Sequence, residues 1–448
     1  VGNERVNKAM VPLRRSSKST SSKIASLLLA AFTVAALAGV ARSDSVDVAT
    51  TPAAGSASRA PSASQAPSKG TIPDGTVADP LPFRRTQSPF AVPAPPHDPP
   101  PPLRQTPEQE LAALTLEQRV GQLFMVAAKA DGSDAATVGR LLDNHIGNVY
   151  LAGRSQAGVA ATAGVVDRLK AAVSPSSSRG IPLYVATDQE GGAVQVLSGP
   201  GFQQIPPALA QGNADPAQLR SDARTWGSQL LQAGVNMDLA PVLDTVPSPG
   251  FAPSNKPIGA FQREYGFTPA AVSGHGNAMA AGLRDAGVVP VVKHFPGMGR
   301  VSLNTDVSGN VHDTETTRTD PYVAPFKTAI DGGVRWVMVS NAYYDKIDPD
   351  HVAPFSPAIM RTMLRADDGF SGVIVSDDLC NAVQLSPWSM GDRATNFIGA
   401  GGTMVLCADP AAIPEMYGQV LQRASSDPGF RKDVDDAALT VIRVKSGK

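Results

Sequence analysis

The sequence predicts an α/β fold, a (β/α)8 TIM barrel preceded by a signal segment and a disordered linker. From Leu111 onward, short continuous apolar runs alternate with amphipathic stretches. Parallel strands buried on both faces and joined by helical crossovers produce this pattern. Polar residues collect where the runs end: Asp188, Asp238, Asp244, Lys293, His294, Asn341, Asp377 and Asp378. Barrel enzymes build their sites on that rim. A doubly wound sheet is the runner-up, but no glycine-rich phosphate loop follows the first apolar run.

Residues 1–43 come first. Arg14, Arg15, Lys18 and Lys23 precede an apolar run over 24–41 that ends in small residues, the pattern of a secretory signal peptide or an uncleaved signal anchor. Met10 begins a cleaner signal, so 1–9 reads as an overlong start. "LAGV" resembles a lipoprotein box with Val40 where the acceptor cysteine should stand, so no lipid is expected there. The folded part is therefore expected to be secreted or held in the cell envelope, touching a membrane only through an uncleaved N-terminal segment.

Residues 44–106 are dense in Pro, Ala and Ser, as in "AVPAPPHDPPPPLRQTP". Such a segment cannot bury enough surface to offset its ordering entropy and reads as a disordered, partly polyproline linker. His97 within it reads as a solvated residue and not a ligand.

The barrel is expected over 107–448, with strands at "VGQLFMVAA", "GNVYLAG", "PLYVATD", "VNMDLAPVLD", "VVPVVKHF", "VRWVMVSN", "GVIVSDDL" and "TMVLCA". Amphipathic stretches such as "PAQLRSDARTWGSQLLQAG" and "SPAIMRTMLRADDGF" supply helices between them. With 39 basic and 40 acidic residues, a net charge of −1 and no basic stripe, the chain is no candidate for nucleic acid binding. Cys380 and Cys407 fit no metal spacing. Both lie at the ends of strands that would be neighbours, so they can pair, or remain small buried hydrophobes.

"TLEQRVGQLFMV", "DQEGGAVQ", "GVNMDLAPVLD", "VVKHFPGMG", "PFSPAIMRTMLR" and "GFSGVIVSDDL" occur in this order. Together they make the region from Leu111 to Lys448 resemble glycoside hydrolase family 3, in particular bacterial β-N-acetylglucosaminidases of cell-wall amino sugars, as a single barrel domain. The resemblance implies retaining hydrolysis, in which a carboxylate attacks the anomeric carbon and a second group protonates the leaving oxygen. It makes Asp377 of "SDD" the nucleophile, and Asp188, Lys293 and His294 the sugar-binding residues. Arg263 joins them by matching the family's Arg-Ser-Phe arginine across a two-residue insertion in "PIGAFQREYG". No cofactor or metal is implied. The expected partner is a carbohydrate, an amino-sugar glycan or peptidoglycan fragment, bound by a monomer. Ala193 stands where an arginine usually follows "EGG".

The departure from the family lies in the loop after "KHFPG". The family has a second histidine where Met298 stands, followed by an Asp-Ser-His motif whose histidine is the acid/base. Counting from "KHFPG" and back from "YVAPF" gives one register, and it places Asn304, Thr305 and Asp306 there. Three readings stay open: Asp306 is a substitute acid, paired carboxylates being the usual glycosidase arrangement; His312 of "GNVHDTE" swings in; or proton transfer has been lost. An aspartate near its ordinary pKa of about 3.9 is a poor donor at neutral pH, so the first reading requires burial or a neighbouring carboxylate to raise it. The last reading gives a different class of protein, a catalytically inactive barrel that binds wall glycan or a protein partner. Metal-dependent hydrolysis is a third class, and the sequence lacks ligand histidines at metal spacing.

If 44–106 is a disordered linker, limited proteolysis should cut there rapidly and leave a fragment beginning near Leu111 with unchanged melting. Protection of that stretch would overturn the domain boundary.

Overall fold

The computed structural model describes residues 105–172 and 178–447. The signal segment and all but the last two residues of the expected linker lie outside them. The ordered chain opens on two consecutive capping boxes. Thr106 accepts the Gln109 N–H while the Gln109 side chain accepts the Thr106 N–H, and Thr115 and Gln118 repeat the exchange. Each box satisfies otherwise orphaned donors of the first helical turn. The second box starts the helix Leu116–Gly121, so "VG" of "VGQLFMVAA" closes a helix and the first strand begins only at Phe124. An apolar run alone does not separate a buried helix face from a strand; here the cap decides.

The barrel strands are Phe124–Lys129, Asn148–Ala152, Tyr184–Thr187, Met237–Asp238, Val289–Pro290 with Val292–Phe295, Trp336–Val339, Val373–Asp378 and Met404–Cys407. Every pairing between neighbours is parallel. In the nine-stranded sheet the two terminal strands are Val289–Pro290 and Val292–Phe295, two parts of one segment split at Val291. The sheet therefore closes on itself, and all of the expected strands take part. The fourth is short because Pro241 has no N–H for the ladder. The chain rejoins its neighbour beyond it through a Val242–Lys293 bridge and a Leu243 N–H to Lys293 carbonyl bond of 2.6 Å.

Alternate residues of each strand fill two cores, which explains why the runs are continuously apolar. Met125, Tyr150, Met237, Trp336, Met338 and Leu406 pack inside the barrel, with Trp336 edge-on to Tyr184 at 5.3 Å. Val126, Val149, Val185, Val337 and Ile374 face outward against the helices. "PAQLRSDARTWGSQLLQAG" forms the helix Pro216–Gln232, capped by Asp215, and "SPAIMRTMLRADDGF" winds as a π-helix over Ala358–Asp367. The last helix, Pro428–Lys445, closes the barrel floor. Its Val441 and Val444 join the interior core, and Lys445 Nζ donates to Gln122 Oε1 and the Gly147 carbonyl, both at 2.9 Å.

Cys380 and Cys407 are joined in a disulfide with their Cα atoms 5.1 Å apart. The bond links the segment after the seventh strand to the end of the eighth, resolving the alternative that the sequence left open. It closes a 27-residue separation, for which chain entropy gives roughly 3–4 kcal/mol. Cys407→Ser, or reduction of the parent protein, should lower the unfolding free energy by about 2–4 kcal/mol, measured by denaturant titration. Unchanged stability would mean that the bridge adds nothing to the fold.

Candidate active site

The third strand ends at Thr187, and the chain turns through Asp188 into a small hairpin, Gln189–Gly191 with Val194–Gln195. Gly191 sits at φ +102°, and a Cβ there would lie 2.3 Å from the Pro206 carbonyl, so the turn admits only glycine. This turn aims Asp188 and Glu190 at Lys293, from the end of the fifth strand. Lys293 Nζ is buried, 2.7 Å from Asp188 Oδ1 and 2.7 Å from Glu190 Oε1. Arg263 closes the network with a two-pronged contact to Glu190, Nε to Oε2 at 2.8 Å and Nη2 to Oε1 at 2.7 Å, and gives Nη1 to the Pro257 carbonyl.

Burial pushes the Glu190 carboxyl upward, but the Arg263 and Lys293 charges outweigh it and bring it down to about 2. Burial likewise opposes the charge on Lys293, and Asp188 and Glu190 reverse that, raising its ammonium above the ordinary value. Glu190, Lys293 and Arg263 therefore stay ionised around neutral pH. Beneath them, Asp238 accepts the Gln189 N–H at 3.0 Å, while its Oδ2 is buried without a partner among the described residues. Burial raises its carboxyl to about 8, so it is protonated at neutral pH.

His294 is set by Asp244, which is fully buried. Asp244 accepts His294 Nδ1–H at 2.7 Å, the His294 N–H at 3.2 Å and the Met298 N–H at 2.7 Å. A ring donating through Nδ1 keeps Nε2 as its second polar atom. Met298 is buried and joins this turn through its backbone. Near Ala193 a guanidinium comes from elsewhere: Arg154 donates to the carbonyls of Ala193 and Gln195.

The two acids at the end of the seventh strand have different duties. Asp378 accepts the backbone N–H groups of Cys380, Asn381 and Ala408 at 2.9, 3.1 and 2.9 Å, pinning the loop to the eighth strand. Burial raises it to about 6 against those hydrogen bonds. Asp377 is half-buried and accepts the Asp378 N–H through Oδ1 at 2.8 Å. Among the described residues its carboxylate accepts no other hydrogen bond, and its charge acts on Asp306 and Tyr150.

Asp306 stands on the loop that follows the fifth strand. Asn304 Oδ1 accepts the Asp306 N–H at 2.9 Å, making a tight Asx turn. The Thr305 and Asp306 carbonyls accept the N–H groups of Gln384 and Val383 at 3.1 and 3.3 Å. The loop is thereby docked on the 3-10 turn Val383–Leu385, just beyond Asp377. Asp306 itself is reached by water at the rim. The surrounding protein atoms, then the charges of Asp377 and Asp378, nevertheless raise its carboxyl to about 6, opposed by Arg263 and His294. Exposed Leu303, Val307 and Val383 form an apolar lip beside it.

The mouth therefore gathers Asp188, Lys293, His294, Arg263, Asp306 and Asp377. Arg263 enters through Glu190. His312 is committed elsewhere, 2.7 Å from Asp345 and stacked on Tyr343 at 4.5 Å. Sequence reasoning missed Glu190 and Tyr150. Tyr150 lies under the mouth, where burial and then the charges of Asp378, Asp188, Asp377 and Asp306 raise its hydroxyl well above normal. For Glu190 the available signal was a charge directly before the glycine pair of "DQEGG"; for Tyr150, inside the apolar run "GNVYLAG", there was none, since core packing writes the same pattern.

A parallel barrel whose rim offers one lightly bonded carboxylate, a second carboxyl titrating near 6 and a rigid lattice of charged donors and acceptors has the parts of a glycosidase. The chain belongs to glycosyl hydrolase family 3: the family's N terminal domain matches residues 115–444, and the protein is a hydrolase of O-glycosyl bonds. It is 34% identical over 247 residues to the beta-hexosaminidase of Nitrosomonas eutropha, covering 53% of this chain and 68% of that protein. It is 28% identical over 346 residues to the beta-hexosaminidase LpqI of Mycobacterium tuberculosis, covering 75% and 84%. Among solved structures, the beta-N-acetylhexosaminidase from Beutenbergia cavernae superposes with a TM-score of 0.74 at 51% identity, covering 75% of this chain and 99% of that one.

Removing Glu190 leaves Lys293 and Arg263 as neighbouring buried cations. Glu190→Ala should cost about 3–5 kcal/mol of stability, the range for breaking a buried ion pair. Because the folded-state carboxyl is depressed to about 2, its contribution is present above the unfolded value of about 4.3 and lost as pH falls toward 2. The gap between parent and variant should therefore narrow in acid unfolding titrations. A variant as stable as the parent would sink this account of the network.

Proposed function

We propose that the protein is an exported, retaining β-N-acetylglucosaminidase acting as a monomer on amino-sugar glycans of the cell wall, with Asp377 as nucleophile and Asp306 as acid/base. The observation that carries this reading is the Asp306 carboxyl, raised to about 6 beside the carboxylate of Asp377. A family 3 barrel, the resemblance to wall-acting enzymes and the beta-hexosaminidase names of its relatives support the substrate class. The N-terminal signal pattern supports export.

In the first step Asp377 attacks the anomeric carbon as the bond to the leaving oxygen breaks, and Asp306 gives that oxygen its proton. Forming the glycosyl ester removes the charge on Asp377 that helps to hold the proton on Asp306. The Asp306 pKa then falls, which suits it to take a proton from the water that attacks the ester and frees Asp377. Asp188 and Lys293 are placed to grip sugar hydroxyls, His294 offers Nε2, and Glu190 with Arg263 keeps the lysine in position. Charged hydrogen bonds of this kind are worth about 1.5–3 kcal/mol each.

Asp377→Asn should abolish turnover of every hexosaminide and prevent trapping of a glycosyl-enzyme with a fluorinated, activated sugar. Asp306→Ala should spare aryl glycosides with good leaving groups, slow poor leaving groups by about 10²–10⁴-fold, and be partly rescued by azide. In the parent enzyme kcat/KM for poor leaving groups should fall as pH rises through about 6, where Asp306 loses its proton, and the variant should lose that limb. An Asp306→Ala enzyme that matches the parent on all leaving groups rules out the acid role.

A further inference from the structure

The rim around Asp306 is chemically unlike the rest of the mouth. Of the five large apolar side chains exposed among the described residues, three lie on the two segments that meet at this acid: Leu303 at 47%, Val307 at 71% and Val383 at 42%. The stretches 301–310 and 381–389 contain no ionisable side chain except Asp306. The sugar-binding side, by contrast, is built from the charged groups of Asp188, Glu190, Lys293 and Arg263.

The three apolar side chains stand on a fixed frame. The Val383 and Gln384 N–H groups donate to the Asp306 and Thr305 carbonyls at 3.3 and 3.1 Å, and the Val307 N–H donates to the Asn304 carbonyl at 3.2 Å. The buried Gln384 side chain adds two more bonds, accepting the Val311 N–H at 3.0 Å and donating to the Val311 carbonyl at 3.2 Å. Loop and turn are thus stitched into one piece. Single apolar residues in water are ordinary, whereas a cluster fixed at the edge of a site marks a contact surface.

The role of Asp306 says what covers that surface. A general acid must come within about 2.6–3.2 Å of the oxygen it protonates. The sugar takes the charged side, so the group bonded to that oxygen departs past the residues flanking Asp306. Those residues offer hydrocarbon and no counter-charge, and an anionic leaving group would also be repelled by Asp377.

We propose that Leu303, Val307 and Val383 form the leaving-group subsite and select an uncharged leaving group with a hydrocarbon body over an acidic one. The assignment rests on the glycosidase reading, with Asp306 as the acid. Each methylene laid against the lip should tighten binding by about two- to fourfold, fourfold corresponding to full burial.

The test measures binding of methyl, propyl and hexyl 1-thio-β-N-acetylglucosaminides to the full chain by calorimetry. The sulfur link resists hydrolysis, so affinity is read apart from turnover. Affinity should rise by about two- to fourfold per methylene from methyl to propyl and further to hexyl, and the 5-carboxypentyl compound should lose most of the hexyl gain. The double variant Leu303→Ser/Val307→Ser should lower the hexyl-to-methyl affinity ratio by about fivefold or more. Should it fail to fold, Val383→Ser should still lower the ratio by about twofold. A flat series, equal binding of the carboxylate, or an unchanged ratio in the variants overturns the proposal. So does a parent dimer that the double variant dissociates, since a second copy would then cover the lip. Hydrolysis of an aryl N-acetylglucosaminide is assayed alongside. A flat series with turnover intact sinks the subsite alone, a rising series without turnover supports the apolar surface and sinks the glycosidase reading, and no binding of any member sinks both.

Discussion

Lys293 has almost no contact with solvent, and its ammonium lies 2.7 Å from two carboxylates. Burying such an ion costs several kcal/mol, recovered only when its partners are close and themselves satisfied. Asp188 and Glu190 are the partners, and Glu190 is buried too, so it in turn needs Arg263. The two cations and two anions come from the ends of the third and fifth strands and from the loop after the fourth. The buried pair, Lys293 and Glu190, is tolerable only with these partners, so three separate parts of the rim are held in one arrangement. Asp238 below them escapes the same demand by keeping its proton.

On the opposite side of the mouth the order is imposed by backbone donors. Three N–H groups hold Asp378 as an anchor, and the disulfide ties the same loop to the eighth strand. Asp377, one residue earlier, accepts only the Asp378 N–H among the described residues. The loop carrying Asp306 is bonded to the turn Val383–Leu385, so the two carboxyls are positioned by one local structure. Asn304 has a structural role here, accepting the Asp306 N–H. The stretch Asn304–Asp306 is thus a coherent turn with an acid at its end.

Much of the architecture was legible because burial on both faces of a parallel strand writes a continuous apolar run, and each of those runs became a barrel strand. It failed where the physics was shared: "VGQL" suits a helix end as well as a strand, and a capping box settled it. The mouth residues Asp188, Lys293, His294 and Asp377 stood out because charged groups at strand ends converge on a barrel rim. Glu190 and Tyr150 did not. Glu190 acts through two cations distant in sequence, and a tyrosine within an apolar run is indistinguishable from core packing. The cysteines could be seen to lie near one another, but pairing depends on Cα separation, which sequence spacing does not contain.

By itself the sequence determined the order of strands and helices, the neutral charge balance and the identity of the acids on the rim, since these follow from local pattern and covalent chemistry. Only the tertiary structure decided which acid carries a proton. Asp377 and Asp378 are adjacent and chemically identical, yet three N–H donors immobilise one while the other accepts a single N–H. Asp306, Asp238 and Glu190 begin with similar carboxyls and reach about 6, about 8 and about 2. The difference arises because burial penalises charge while nearby cations or anions offset or add to that penalty, and those neighbours are brought together only when the barrel closes.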